Sequence, residues 1–311
     1  MSNRRIGLIG DGSQAGRIKS ALKLGGLHPD CIFKPFLRDD DTGITDNFDE
    51  ILACDIIFLC SPNDTHFSYL NTLIGGRYIF CEKPPVQTRE HLDALKQLDD
   101  GKVHYNFNLR YSELSNFLYK SQELEFGELI SANIVMSHGL ATKPNYPTSW
   151  RSDPKICSKG VFEIVSIHAI DLVGHHFDVE GISSNQLSNR STIGIGVDTA
   201  NTTIALKNGG RVDIFATYFG PYFFQWSFVF ENGLLVFDSG GIVLRGPRDV
   251  FDQHGYFTLP PIIEHQLVDN DANHSKSIDL SVALFLKTAM GEGVFDLRDR
   301  NLSFFSNSLI F

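Results

Sequence analysis

No stretch of this sequence stays apolar for the roughly 18–20 residues that a membrane-spanning helix needs. The chain opens Met1-Ser2-Asn3-Arg4-Arg5 and enters an apolar strand at once, without the apolar region or cleavage site of a secretory leader. Cysteine is sparse: Cys31, Cys54, Cys60, Cys81 and Cys157 are five thiols in 311 residues, with no CxxC pair and no regular spacing. An odd, scattered set argues against a disulfide framework and fits a reducing cytoplasm. His175-His176 has no third ligand at metal spacing, so no metal is expected. Positive charge is short as well, with 27 Lys and Arg against 37 Asp and Glu, a net charge of −10. A surface of that sign argues against nucleic acid and anionic membranes as partners, yet leaves room for a local pocket that takes a phosphate. There is no internal repeat and no low-complexity tract.

What is present is a globular composition, 42% hydrophobic and 21% charged, in a chain long enough for two cores. The first 110 or so residues alternate short apolar runs with helical patterns. Strands are predicted at 5–9, 31–37 (interrupted by Lys34-Pro35), 55–60, 78–81 and 103–107, with helices to about Leu24, over 66–73 and over 88–98. The unbroken run Ile56-Ile57-Phe58-Leu59 is expected of a strand covered on both faces. Such alternation makes a parallel sheet with right-handed crossovers. After about residue 120 the pattern changes. A strand over 128–137, a polar loop over 139–158 and a helix over 161–173 precede a strand series. There Asn208-Gly209 and Asn232-Gly233 each separate two strand-like runs, a strong hairpin signal. A late helix is expected over 275–289. The expected architecture is a doubly wound parallel sheet over 1–118, followed over 119–311 by an open-faced, mainly antiparallel sheet with helices on one side.

Chemistry enters at Gly10-Asp11-Gly12-Ser13-Gln14-Ala15, between the first strand and the first helix. In this GxGxxA pattern Gly10 permits a tight turn, Gly12 lets the backbone approach a pyrophosphate, and Ala15 allows close helix–strand packing. The helix N-terminus offers unpaired N–H groups to the phosphates. A dinucleotide is therefore expected. An acid at the end of the second strand would bind the ribose 2′-OH of NAD, and an arginine the 2′-phosphate of NADP. Arg38-Asp39 supplies both signals, and the lean is to NAD through Asp39.

Two further segments, Ser61-Pro62-Asn63-Asp64-Thr65-His66 and Glu82-Lys83-Pro84, each follow an apolar strand. Together with "NFNLR" at 106–110, "SWR" at 149–151 and "GVFEIVSIHAIDL" at 160–172, they make the chain resemble the glucose–fructose oxidoreductase / inositol dehydrogenase / MocA (Gfo/Idh/MocA) family over nearly its whole length. The resemblance implies a Rossmann domain and an open-faced sheet domain, with a nicotinamide held between them. It implies cofactor contacts from Gly10, Gly12, Ser13, Gln14, Ala15, Arg38, Asp39, Ser61, Pro62, Asn63, His66, Glu82 and Lys83. It also implies a sugar-like substrate met by Lys83, Arg110, Tyr146, Trp150, Arg151 and His168. Separately, the aromatic-rich run Tyr218–Phe230 on the exposed face of the second sheet suggests a homodimer or homotetramer contact there. Lys83 and His168 are the implied acid–base pair.

The family's helix usually carries an acid four residues before the histidine. Here that position is Ile164. Glu163 is a neighbour, but at about 100° per residue an α-helix turns it roughly 140° away from His168. Arg110 has a second reading as a salt-bridge partner, Trp150 as core and His168 as a satisfied helix histidine. Ile164 also keeps open a dinucleotide-binding sensor that does no chemistry. The loop 139–158 leaves open an enzyme acting on a non-sugar substrate.

Overall fold

The computed structural model describes residues 4–37, 41–247 and 251–311. Arg38 and Asp39, on which the NAD or NADP expectation turns, lie outside the described residues. The chain divides into two compact units, one of residues 1–108 with 275–311, the other of residues 109–274.

The first unit opens as the alternating pattern predicts: β1 (Ile6–Ile9), α1 (Ser13–Leu24), β2 (Cys31–Phe33), α2 (Phe48–Leu52), β3 (Ile56–Leu59), α3 (His66–Leu73), β4 (Tyr78–Glu82), α4 (Arg89–Leu98) and β5 (Val103–Asn106). The strands form one parallel sheet in the order β2-β1-β3-β4-β5. Leu8 lies opposite Ile32 on one side and Phe58 on the other. Every residue of β1 and of β3 is buried, so no polar alternation appears in either. β2 stops at Phe33 instead of running to Leu37, because Pro35 offers no N–H to a ladder. Thr88 caps α4 by accepting from the His91 N–H at 3.2 Å.

The second unit holds α5 (Glu113–Glu123), β6 (Leu129–Ser137), α6 (Ile167–His176), β7 (Val179–Ser188), β8 (Thr199–Leu206), β9 (Arg211–Thr217), β10 (Phe223–Phe230), β11 (Leu234–Asp238), β12 (Gly241–Arg245) and β13 (Ile262–Gln266). Its eight strands run β13-β12-β11-β10-β6-β9-β8-β7. All neighbours are antiparallel except β6 and β9, which pair parallel. Both Asn-Gly turns close the hairpins they signal, β8–β9 and β10–β11. The helix expected over 161–173 is instead a π-helical turn, Phe162–Ser166, running into α6.

The chain then enters α7 (Asn270–Ala289) and α8 (Leu297–Ser308). Ile278, Val282, Phe285, Leu286 and Ala289 form one apolar stripe and join β1, β3 and α1 in a single core. The Phe285 ring lies 5.2 Å from Phe58 and 5.4 Å from Phe80. The division of the chain thus falls at 108/109 and returns 275–311 to the first unit, whereas the pattern change along the sequence points to 118/119 and assigns everything after it to the second. Local periodicity marks where elements change character; it does not say which sheet a late helix will cover.

Candidate active site

In an open parallel sheet ligands bind beyond the carboxyl ends of the strands, where the strand order reverses. Here that point lies between β1 and β3, and the two segments leaving it are the Gly10 turn and the Ser61–His66 loop. Gly10 has φ +98°, and a Cβ on it would stand 2.8 Å from the Cys60 carbonyl oxygen. Only glycine takes that backbone at that distance. Its N–H donates to the Phe33 carbonyl at 2.9 Å, tying the turn to β2. Gly12, the N-cap of α1, is the opposite case: its φ is −84° and a Cβ on it would meet nothing within 4 Å. No acid occupies the first turn of α1, which starts at Ser13, so the helix end keeps its positive potential. Ala15 is fully buried against the sheet.

The loop after β3 closes on itself. Ser61 and Thr65 share a hydroxyl–hydroxyl bond of 2.7 Å, and Thr65 donates to the Pro62 carbonyl at 2.7 Å. Buried His66 sets one ring nitrogen 2.9 Å from the Ser61 carbonyl and the other 2.8 Å from the Pro84 carbonyl. Burial pushes its pKa below the ordinary value while the two carbonyls pull it back up. The ring therefore pins the loop to the segment carrying Lys83. Asn63 is 7% exposed, and its Nδ2 has no hydrogen-bond partner.

Glu82, at the end of β4, is buried beneath the glycine turn. One carboxylate oxygen, Oε1, accepts from Gln14 Nε2 at 2.9 Å and Asn106 Nδ2 at 2.7 Å. The Ser281 hydroxyl donates to Asn106 Oδ1 at 2.8 Å and faces His104 Nε2 at 2.9 Å. With its proton spent on Asn106, Ser281 can only accept, so His104 carries its proton on Nε2. Burial raises the Glu82 pKa, against the pull of the Gln14 and Asn106 bonds. Gln14, whose oxygen accepts from Arg17 at 2.8 Å, has both ends of its amide engaged by the protein. The hydrogen bond between Gln14 and Glu82 ties the start of α1 to the end of β4. Lys83 follows Glu82, half-buried.

In the second unit Arg110 is 5% exposed and grips Asp171 with two bonds, Nε to Oδ2 at 2.8 Å and Nη2 to Oδ1 at 2.6 Å. This is the salt-bridge reading; the guanidinium fork is spent inside the protein. Tyr146 is wholly buried, its ring 6.5 Å from that of Tyr218, and burial pushes its pKa up to about 12. Both residues, expected on the substrate side, belong to the interior. Trp150 and Arg151 form a half-buried stack, the guanidinium carbon 4.2 Å from the ring centroid. They remain available to a flat polar ligand. His168 stands half-buried on α6, with the His274 ring at 6.2 Å and an interplanar angle of 84°. Ile164 is 8% exposed. The π turn also removes the basis of the 140° separation between Glu163 and His168, because residues five apart become the stacked pair in such a turn. The Glu163 carboxylate accepts from the Lys159 N–H at 3.3 Å. His274, whose ring meets that of His168, is marked by no local sequence signal, because it reaches that histidine from 106 residues along the chain.

The fit to a dinucleotide rests on three observations in one unit: the open face of Gly12, the acid-free start of α1, and the buried, unpartnered amide of Asn63. Residues 35–104 match the family model described as "Oxidoreductase family, NAD-binding Rossmann fold", that of the Gfo/Idh/MocA proteins. The chain is 28% identical over 158 residues to levoglucosan dehydrogenase of Pseudarthrobacter phenanthrenivorans, a match covering 47% of this chain and 40% of that protein. It is 27% identical over 166 residues to an oxidoreductase of Formosa agariphila, covering 48% and 52%. The chain spans about half the length of the curated relatives it matches. Across the whole fold, a levoglucosan dehydrogenase solved with NADH and levoglucosan superimposes at a TM-score of 0.78, with 18% identity and coverage of 99% and 96% of the two chains. A myo-inositol dehydrogenase from Corynebacterium glutamicum gives 0.74, with 18% identity and coverage of 99% and 94%. These Gfo/Idh/MocA structures share the parallel sheet and the large mixed sheet described above. Among the described residues no group of three or more His, Cys, Asp or Glu is placed to hold a metal, and no helix is long and apolar enough to cross a membrane.

Proposed function

We propose that this protein is an NAD(P)-dependent dehydrogenase or reductase acting at a carbinol or keto carbon of a sugar, sugar acid or nucleotide sugar. The carrying observation is the Asn63 amide, buried and unpartnered beside a glycine turn whose Gly12 face is open. A buried donor without a partner costs about 1–3 kcal/mol, and a ligand acceptor would recover that. Gly10, Gly12, Ser13 and the Ser61–His66 loop would hold the dinucleotide, with Asp39 leaning the choice to NAD. When bound, the nicotinamide supplies the hydride donor or acceptor. Lys83 is the principal proton donor and acceptor at the reacting oxygen, and His168 hydrogen-bonds that oxygen. The Trp150–Arg151 stack offers a flat apolar face beside a cation, which suits a sugar or sugar acid. The relatives crystallised with NADH and a sugar support the same reading.

The test is turnover of levoglucosan, myo-inositol and a panel of sugar acids with NAD and NADP, followed at the reduced nicotinamide band. Lys83→Ala is expected to lose about 10²–10⁴-fold in kcat with dinucleotide affinity kept, and His168→Ala to lose less. Wild-type turnover in Lys83→Ala would remove the catalytic assignment. One observation favours a second reading, a dinucleotide-dependent sensor: Ile164 fills, buried, the position of the family's acid. No turnover across the panel, together with a partner protein captured only in the presence of dinucleotide, would favour it. We place the protein in the cytoplasm as a homodimer or homotetramer joined through the second unit's sheet, a reading supported by the exposed Ile130, Phe223 and Val229 on β6 and β10.

A further inference from the structure

Two strands that flank a third stand roughly 10 Å apart, so their side chains meet only by passing over the residue between. In the first unit β2 and β3 flank β1 in this way. Cys31, the first residue of β2, pairs with Gly7 of β1. Cys54 lies between α2 and β3, and a Cβ on Gly7 would stand 3.1 Å from its Sγ and 3.3 Å from its Cβ. With no side chain at position 7, the Cys54 thiol lies over the central strand and meets the Cys31 thiol at 3.5 Å. Both are free thiols, 7% and 3% exposed for Cys31 and Cys54, and both reach the Glu50 carbonyl, at 3.6 and 3.3 Å. Burial raises both pKa values, that of Cys54 to about 12, while the contact between the thiols lowers Cys31 and raises Cys54. Cys54 is therefore the donor and Cys31 the acceptor, and the Arg5 charge favours the thiolate of either.

We propose that Cys31 and Cys54 are an oxidation site at which hydrogen peroxide closes a disulfide in the folded protein. The Cys31 thiolate attacks one peroxide oxygen. The O–O bond breaks, the departing hydroxide takes up a proton as water, and Cys31 becomes a sulfenic acid. The Cys54 sulfur, giving up its proton, then attacks the Cys31 sulfur. The S–O bond breaks, a second water leaves, and the disulfide forms. Two thiols are oxidised and one peroxide is reduced to two waters. From their contact at 3.5 Å the sulfurs need to close by only ~1.5 Å. Burial makes the first step slower than at an exposed thiol, and in a reducing compartment the pair rests as thiols. The 24 residues from Cys31 to Cys54 include Arg38 and Asp39, so the bond would tie together the two ends of the segment from which the choice between NAD and NADP is expected. Bond formation itself is independent of the dehydrogenase reading.

The test is to treat the reduced, full-length chain with millimolar hydrogen peroxide in the absence of denaturant. The intact mass should fall by two hydrogens, and proteolytic mapping should join the Cys31 and Cys54 peptides while Cys60, Cys81 and Cys157 stay as thiols. Dithiothreitol should reverse the change. Cys54→Ser keeps a hydrogen-bond donor beside Cys31, so there Cys31 should stop at the sulfenic acid and be trapped by dimedone. In Cys31→Ser, Cys54 should not be trapped. A ring of this length restrains the unfolded chain, and the oxidised wild type should melt about 7–14 °C above the reduced form. A bond that joins any other pair, a bond that forms only in denaturant, or an oxidised form melting at or below the reduced one overturns the proposal. Dimedone on Cys54 in Cys31→Ser, with none on Cys31 in Cys54→Ser, overturns the order of attack. The wild-type mass, map and melting point decide the matter even where a serine variant folds poorly.

Discussion

Alanine at Gly10 and a side chain at Gly12 should fail in different ways, although both positions sit in one six-residue turn. Gly10 has φ +98°, where an L residue is strained by about 1–2 kcal/mol. Its new Cβ would also lie 2.8 Å from the Cys60 carbonyl oxygen and 3.0 Å from the carbonyl carbon. Those are backbone atoms at the exit of β3 and cannot swing aside, so the strand end must move. Overpacking of this kind costs about 1–3 kcal/mol, for a total of roughly 2–5. At about 2–4 °C per kcal/mol, Gly10→Ala should melt on the order of 4–20 °C lower, with or without ligand. Gly12 has an ordinary φ of −84° and open space around a would-be Cβ. Losing glycine at an N-cap costs only about 0.5–1 kcal/mol, so Gly12→Val should keep its melting point to within roughly 4 °C. Its isopropyl group would fill the space that a pyrophosphate needs, and the affinity for NAD should fall by about a hundredfold or more, some 2.7 kcal/mol. Differential scanning fluorimetry without ligand and calorimetric titration with NAD read the two quantities separately. A Gly10→Ala protein melting with wild type, or a Gly12→Val protein binding NAD normally, would refute the geometry argued for the turn.

Three further outcomes follow from the same structure. Arg110→Ala strips a buried carboxylate of its partner and should cost about 3–5 kcal/mol in urea unfolding; a substrate role for Arg110 would instead leave stability alone and raise KM. Asp39→Ala should narrow any preference for NAD over NADP in paired titrations, whereas loss of NADP binding in Arg38→Ala would reverse the lean. The His66 pKa is lowered in the folded protein, so the unfolded chain binds more protons on the acid side. The stability tied to His66 is present above its ordinary value of 6.5 and is lost as pH falls from there through the folded pKa. Melting points between pH 7.5 and 5 should fall more steeply for wild type than for His66→Gln, and parallel slopes would contradict this.

The dinucleotide turn was readable because its chemistry is local: the spacing Gly10, Gly12, Ala15 states its own geometry. Both hairpins were readable for the same reason, since Asn208-Gly209 and Asn232-Gly233 carry their turn types with them. The π turn at Phe162–Ser166 was hidden because wheel arithmetic assumes 3.6 residues per turn throughout, and one wide turn shifts every later residue. Arg110 was ambiguous because a cation after a strand looks the same whether its partner is a ligand or, as here, Asp171, 61 residues on. Tyr146 reads as a polar loop residue, and only the fold shows that it is enclosed.

The first unit takes its core stripe from residues 278–289, more than 160 residues beyond the end of β5. A ribosome releases the chain from the N-terminus, so when β5 emerges the face of β1 and β3 that Phe285 and Leu286 will cover is still bare. The second unit has all its strands in hand before that helix is made. During synthesis the order of completion is therefore the reverse of the order in sequence: the N-terminal sheet must wait, exposed or chaperoned, until the last fifth of the protein arrives. A premature stop near residue 270 would leave every strand of both sheets present and that apolar face uncovered, a product marked for aggregation or proteolysis.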